Sequence, residues 1–349
     1  MRRTISAFLA LVVILLLCGC GLFSETYVST RVHQGSNHNS QTGQQIASSY
    51  PEIYSALTTL IGHGDATGVI VLPDLSEQVG LSYMQAAVKN VLSQDPVGAF
   101  AVDRIEYDMG SNAGRTAVAV RIFYSRSLSD IARIKTVKNI EEAEKAISLS
   151  LEEAAGSIVL RIEQYTKIDF AALVRTCWEE NPMMIMEIPQ VMTAVYPQNG
   201  VTRLVELTFT YQHTQEELLK MQALVRPVFT SAELYVQSER AARIKFQQLY
   251  SFLMERSEYK IRSSVTPAYS LLQEGIGDSE AFACVYAAMC RQAGLECRVI
   301  TGTKDGALWS WNRVVINNRV YYIDLIEAER TGKLQYRTAS EMNGYLWER

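Results

Sequence analysis

The chain has 349 residues, of which 48% are hydrophobic and 20% charged, and a net charge of −4. This is ordinary globular composition, with room for two or three domains. The acidic balance argues against a nucleic-acid partner, and no residue spacing forms a phosphate loop, a zinc cluster or a calcium loop, so no metal or cofactor is expected.

Arg2 and Arg3 form a basic start, followed by an apolar run, AFLALVVILLLC at 7–18, of signal-peptide length. The run ends in Leu17-Cys18-Gly19-Cys20, which resembles a bacterial lipobox. The expectation is a signal peptide over 1–20, with Cys20 as the lipidated residue and the membrane as partner through that lipid. A rival reading is an uncleaved anchor helix over 5–23; both place the rest of the chain at the extracytoplasmic face of the membrane. Residues 21–50 are rich in Ser, Gln, Asn, Thr and Gly and read as a flexible tether.

Residues 51–235 carry an internal similarity. SYMQAAVKNVLSQDP (82–96) resembles DFAALVRTCWEENP (169–182), each a helix-like run stopped by proline. RTAVAVRIFYS (115–125) resembles TRLVELTFTYQ (202–212), each β-prone and preceded by a Gly/Asn turn. Pro96 and Pro182 stand 86 positions apart, and Tyr124 and Tyr211 stand 87 apart. A steady offset marks duplication, so two related α+β units are expected, at about 51–150 and 151–235. A helix-like run over 239–259 then leads into the last third of the chain.

That last third carries GDSEAFACVYAAMCRQAGLECRVITG, then WSWN and YYID, between Gly277 and Asp324. The order and spacing resemble the transglutaminase-like domain of bacterial surface proteins, here over about 236–349. Gly277, Phe282 and Ala283 match that family's nucleophile turn, Trp311 and Asn312 the second half of its H-A-W-N strand, and Tyr321, Tyr322 and Asp324 its last strand. The resemblance implies an α+β fold, with one helix packed on an antiparallel sheet in a papain-like core, preceded by the two α+β units.

The same resemblance implies a Cys, His and Asp triad, and Ser279 and Trp309 stand in the first two positions. A serine hydroxyl needs its own base, and indole has no basic lone pair. The four histidines, His33, His38, His63 and His213, all precede the motif. Asp324 would have no imidazole to orient. Ser279, Trp309 and Asp324 are therefore triad positions with degenerate chemistry, and Trp311, Asn312 and Tyr322 are candidates for lining a remaining groove. The expected function is a binding or scaffolding module for a polypeptide or cell-wall peptide. The alternative is a weak peptidase or acyltransferase using Ser279, with Glu280 as a substitute base. Asp278 and Ser279 also suit a helix N-cap, which needs no catalytic role. Cys177, Cys284, Cys290 and Cys297 sit in apolar surroundings and read as small buried residues without a disulfide.

Overall fold

The computed structural model describes residues 44–236 and 240–348. Cys20 and the rival anchor segment lie outside the described residues. Among the described residues, no helix is long and apolar enough to cross a membrane.

The first unit runs β1 (Gln45–Ile46), α1 (Tyr50–His63), β2 (Thr67–Val71), α2 (Glu77–Gln94), α3 (Pro96–Ala101), β3 (Val102–Asn112) and β4 (Arg115–Tyr124). Its sheet has the order β1-β2-β4-β3, with β1 parallel to β2 and the other pairs antiparallel. Gln45 and Ile46 pair with Ile70 and Val71, and Ala47 is fully buried. Part of the segment expected to be tether is thus a strand, because a short apolar stretch there finds a sheet edge. Strand β4 alternates as its sequence dictates, turning Val118, Val120 and Ile122 inward. These residues meet Ile53, Leu57 and Ile61 of α1 and Met84 and Val91 of α2.

After the short helix α4 (Leu128–Ala132), the second unit runs β5 (Lys135–Val137), α5 (Ile140–Glu152), β6 (Ser157–Ile162), α6 (Phe170–Glu180), β7 (Gln190–Tyr196) and β8 (Arg203–Thr210). Its sheet order is β5-β6-β8-β7, with β5 parallel to β6 and the rest antiparallel. Strand for strand, this is the arrangement of the first sheet. The segments 82–94 and 170–180 are helical in both units, and 115–124 and 203–210 are the central strands of both hairpins. The units differ after the helix. Asp95 caps α3 through Gly98, with Pro96 at its first turn, whereas Met183–Met186 passes through turns. Helix α3 packs on β7 and β8 of the second unit, with Phe100 edge-on to Tyr196 at 5.6 Å. Arg126 pairs with Glu206 at 2.7 Å across the same junction.

Two helices follow. Helix α7 (Gln215–Tyr235) starts at a capping box of Thr214 and Glu217, and α8 (Ala242–Met254) occupies the middle of the expected helical run. Residues 256–259 leave that run, and β9 (Glu258–Tyr259) pairs in parallel with β10 (Ile276–Gly277). Between them lie α9 (Pro267–Tyr269) and one π-helical turn over Ser270–Glu274.

The C-terminal core is α10 (Ser279–Gln292) on an antiparallel sheet of β11 (Cys297–Lys304), β12 (Ala307–Ile316), β13 (Arg319–Ile323) and β14 (Tyr345–Leu346), in the order β13-β12-β11-β14. Helix α11 (Leu325–Thr331) follows β13. Helix α10 is sequestered on nearly every side. Phe282, Val285, Tyr286 and Met289 join Phe229, Phe246 and Leu249 of the preceding helices. Cys284 instead joins Val174 and Trp178 in the core of the second unit. The Arg291 guanidinium donates to the carbonyls of Glu179 and Glu180 at 2.9 and 2.8 Å, satisfying the end of α6.

Candidate functional site

The site is built at the start of α10. Asp278 has extended backbone, and its carboxylate accepts the N–H of Ala281 at 3.0 Å. The capping role thus falls to Asp278, and Ser279 is the first helical residue. Gly277 must be small, because a Cβ there would lie 2.8 Å from Leu271 and 3.0 Å from Ala281. The tight turn presses Ser279 against the sheet. Its Oγ is buried and accepts the backbone N–H of Ser310 at 3.2 Å. Among the described residues, that is its hydrogen-bond partner, and no carboxylate or imidazole reaches it. Glu280 faces outward and pairs with Arg175 of α6 at 2.7 Å.

Trp309 and Asp324 are brought together. The indole N–H of Trp309 donates to Asp324 Oδ2 at 2.9 Å. The same oxygen receives Lys304 Nζ at 3.0 Å and the Tyr345 hydroxyl at 2.6 Å. Asp324 Oδ1 caps α11 by accepting the N–H groups of Ile326 and Glu327 at 3.0 and 3.1 Å. The carboxylate is thus surrounded by five donors. Lys304 also reaches Glu327 at 3.2 Å and lies 5.0 Å from the Trp309 ring centre. Burial alone would lower the Lys304 pKa, but its contacts with Tyr345 and Asp324 hold the ammonium well above the usual lysine value. Burial, followed by the hydrogen bond to Asp324, pushes the Tyr345 phenol up to about 12. Glu327 is held down to about 2, first by Arg330 and then by Lys304. This is a closed ionic network in aromatic surroundings, where each charge is matched.

Alternation along β12 sorts the remaining predicted residues. Ser310 and Asn312 face α10, and the Asn312 side chain donates to the Ala283 carbonyl at 2.8 Å. Trp309 and Trp311 face the other way. Trp311 is 1% exposed, between Tyr345 and Trp347 at 5.1 and 5.4 Å. Tyr322 is half-buried against Trp347 at 5.1 Å. The expected groove of Trp311, Asn312 and Tyr322 therefore needs correction: Trp311 and Asn312 are buried on opposite faces of one strand, and the tail at 342–347 covers the face that Trp311 shares with Tyr322. Trp309 abuts Tyr259 at 5.5 Å rather than the Ser279 hydroxyl.

Sequence reasoning passed over Lys304, Tyr345 and Glu327. One signal was present. Asp305-Gly306 is a strong hairpin turn, and both residues have positive φ. That turn fixes the pairing of Gly302 with Trp309 and of Lys304 with Ala307, which brings Lys304 close to Trp309. Cys177, Cys284, Cys290 and Cys297 are free and buried. Burial pushes the Cys284 and Cys290 thiols well above the usual range, so neither is poised as a nucleophile. No group of three or more metal-ligating side chains occurs among the described residues.

Residues 230–325 match the sequence profile of the transglutaminase-like superfamily. The chain therefore carries a transglutaminase-like domain over those residues, in an α+β fold. Three solved structures are similar to parts of it. A crystal structure of a TGase aligns with TM-score 0.29 and 12% identity, covering 63% of this chain and 64% of that one. A candidate protease from Parabacteroides distasonis aligns with TM-score 0.24 and 10% identity, covering 73% and 39%. A proposed cysteine protease from Cytophaga hutchinsonii aligns with TM-score 0.22 and 16% identity, covering 45% and 70%. This chain thus spans less than two thirds of the first structure. No curated protein matches the chain.

Proposed function

We propose that this protein is a lipid-anchored, extracytoplasmic module whose transglutaminase-like domain binds a polypeptide or a cell-wall peptide without turning it over. The observation that carries this reading is the state of the triad positions. Ser279 Oγ accepts a backbone N–H and has no base beside it. Asp324, which would orient an imidazole, is committed to Lys304, Trp309, Tyr345 and the first turn of α11. Acyl transfer needs an activated nucleophile, and neither a thiolate nor a general base is in place to supply one. The anchor rests on the basic start, the short apolar run and the box ending at Cys20.

The alternative, an acyl transferase or peptidase using Ser279, would need Glu280 as base. Glu280 is instead engaged by Arg175 at 2.7 Å. The deciding experiment assays the unmodified chain for peptide and amide hydrolysis and for amine transfer to glutaminyl peptides. No turnover above the Ser279→Ala background is expected. Turnover abolished by Ser279→Ala would establish the alternative.

A further inference from the structure

A second constellation lies away from the triad positions, where the second unit meets α7. Glu187 follows the turns after α6, and its side chain is 3% exposed. Its Oε1 accepts the N–H of Gln212 at 2.5 Å, and its Oε2 accepts the N–H of His213 at 3.3 Å. The same Oε2 lies 2.8 Å from His213 Nδ1. A buried carboxylate held by two backbone amides fixes the ring by accepting from its Nδ1, which leaves Nε2 as an acceptor.

His213 lines a cavity of about 330 Å³ between α7 and the segment 262–276. That volume is at the lower end of the range for small-ligand sites. Arg262 lines the same cavity, and among the described residues its guanidinium has no ion pair or side-chain hydrogen bond. Ser263, beside it, likewise has a hydroxyl with no described partner. The acidic group on the wall, Glu274, is engaged by the Ser270 hydroxyl at 3.0 Å. Met221 adds an apolar surface. The cavity therefore offers a guanidinium without an ion pair, a free hydroxyl and an oriented imidazole acceptor beside an apolar wall, with the Glu274 carboxylate held on Ser270.

We propose that this cavity binds the free carboxylate of a peptide C-terminus. Arg262 supplies the ionic partner, Ser263 donates a hydrogen bond to the carboxylate, His213 Nε2 accepts one from the N–H of the terminal residue, and Met221 meets the terminal side chain. A guanidinium fork matches a carboxylate in geometry as well as in charge. This proposal does not depend on the state of Ser279, Trp309 and Asp324.

The test titrates N-acetyl-alanylalanine, its C-terminal amide and acetate into the full chain, followed by calorimetry. The acid is expected to bind in the millimolar range, the amide at least tenfold more weakly, and acetate more weakly than the acid. Arg262→Gln should weaken binding of the acid at least tenfold. Its side chain is exposed, so the melting temperature should not move. Equal binding of acid and amide, equal binding of acetate and acid, an unchanged affinity in Arg262→Gln, or no heat from the acid would each overturn the proposal. Should Arg262→Gln fail to fold, the acid-to-amide ratio in the unmodified chain still decides it.

Discussion

Trp309 donates its indole N–H to Asp324 Oδ2 at 2.9 Å, which joins β12 to the first turn of α11. An imidazole there would pass a proton onward. An indole terminates the chain of hydrogen bonds, because it has no acceptor. The bond therefore ties β12 to the start of α11 and relays no proton onward.

The first consequence concerns a thiol placed at position 279. Ser279→Cys is expected to give a thiol without base assistance, buried where Ser279 is 8% exposed. Its alkylation by iodoacetamide should show a pH midpoint at or above the ordinary cysteine value of about 8.5. Amide hydrolysis should stay at background. Adding Trp309→His is the stricter version. Asp324 would then divide its carboxylate between the new ring and Lys304, so any gain should fall far short of an intact triad. A thiolate midpoint well below 7 in the single variant would contradict this account.

Removing the charge at Asp324 should be costly. Asp324→Asn leaves Lys304, whose side chain is 18% exposed, with Glu327 alone. Because Glu327 still compensates the ammonium, the cost should fall below that of a buried charge left unpaired, at about 1.5–3 kcal/mol. A urea midpoint within error of the unmodified chain would show that the network contributes nothing.

Glu327 gives a pH signature. Its folded value of about 2 lies below the usual 4.5, so the unfolded chain binds its proton first as pH falls. Its contribution is fully present above about pH 4.5 and is lost between there and pH 2. Glu327→Gln should therefore flatten the acid limb of a stability–pH curve in that window and leave its slope above pH 6 unchanged.

Gly302 guards the seam between β11 and the tail. A Cβ there would lie 2.2 Å from the Leu346 carbonyl and 2.9 Å from the Trp311 ring. Gly302→Ala should displace β14 and cost about 1–3 kcal/mol, the usual range for overpacking. Tryptophan emission should shift to the red as Trp311 and Trp347 gain water, and limited proteolysis should cut near 342–347 first. An unchanged spectrum and cleavage pattern would mean the strand yields freely.

The anchor has its own test. Cys20→Ser should block labelling with a fatty-acid probe and leave an unprocessed precursor. Normal labelling and processing of that variant would remove the lipobox from the account.

Much of the C-terminal core was legible because its signals are local. Asp278 before a run of small apolar residues starts a helix, and Gly277 permits the turn that precedes it. In the same way, RTAVAVRIFYS and TRLVELTFTYQ carry the alternation of the strands they form. The Asp324 network was not legible. Lys304, Trp309 and Tyr345 come from three separate strands and Asp324 from the start of α11, and their meeting depends on sheet register and on a tail that folds back. Trp311 and Asn312 show the limit of motif reading. They are adjacent in sequence, yet each serves a different face of one strand.

Helix α10 has one further consequence, through Cys284. That side chain belongs to the core of the second unit, while its neighbours along the helix belong to the C-terminal core. The helix that would carry a nucleophile is thus a rivet through two layers. Cut away from the second unit, the transglutaminase-like domain would expose the Cys284 side of α10 to water and leave the Arg291 guanidinium without the carbonyls it holds. A rivet works whether or not its head is reactive. The structural duty of α10 is thereby separate from any chemistry at Ser279.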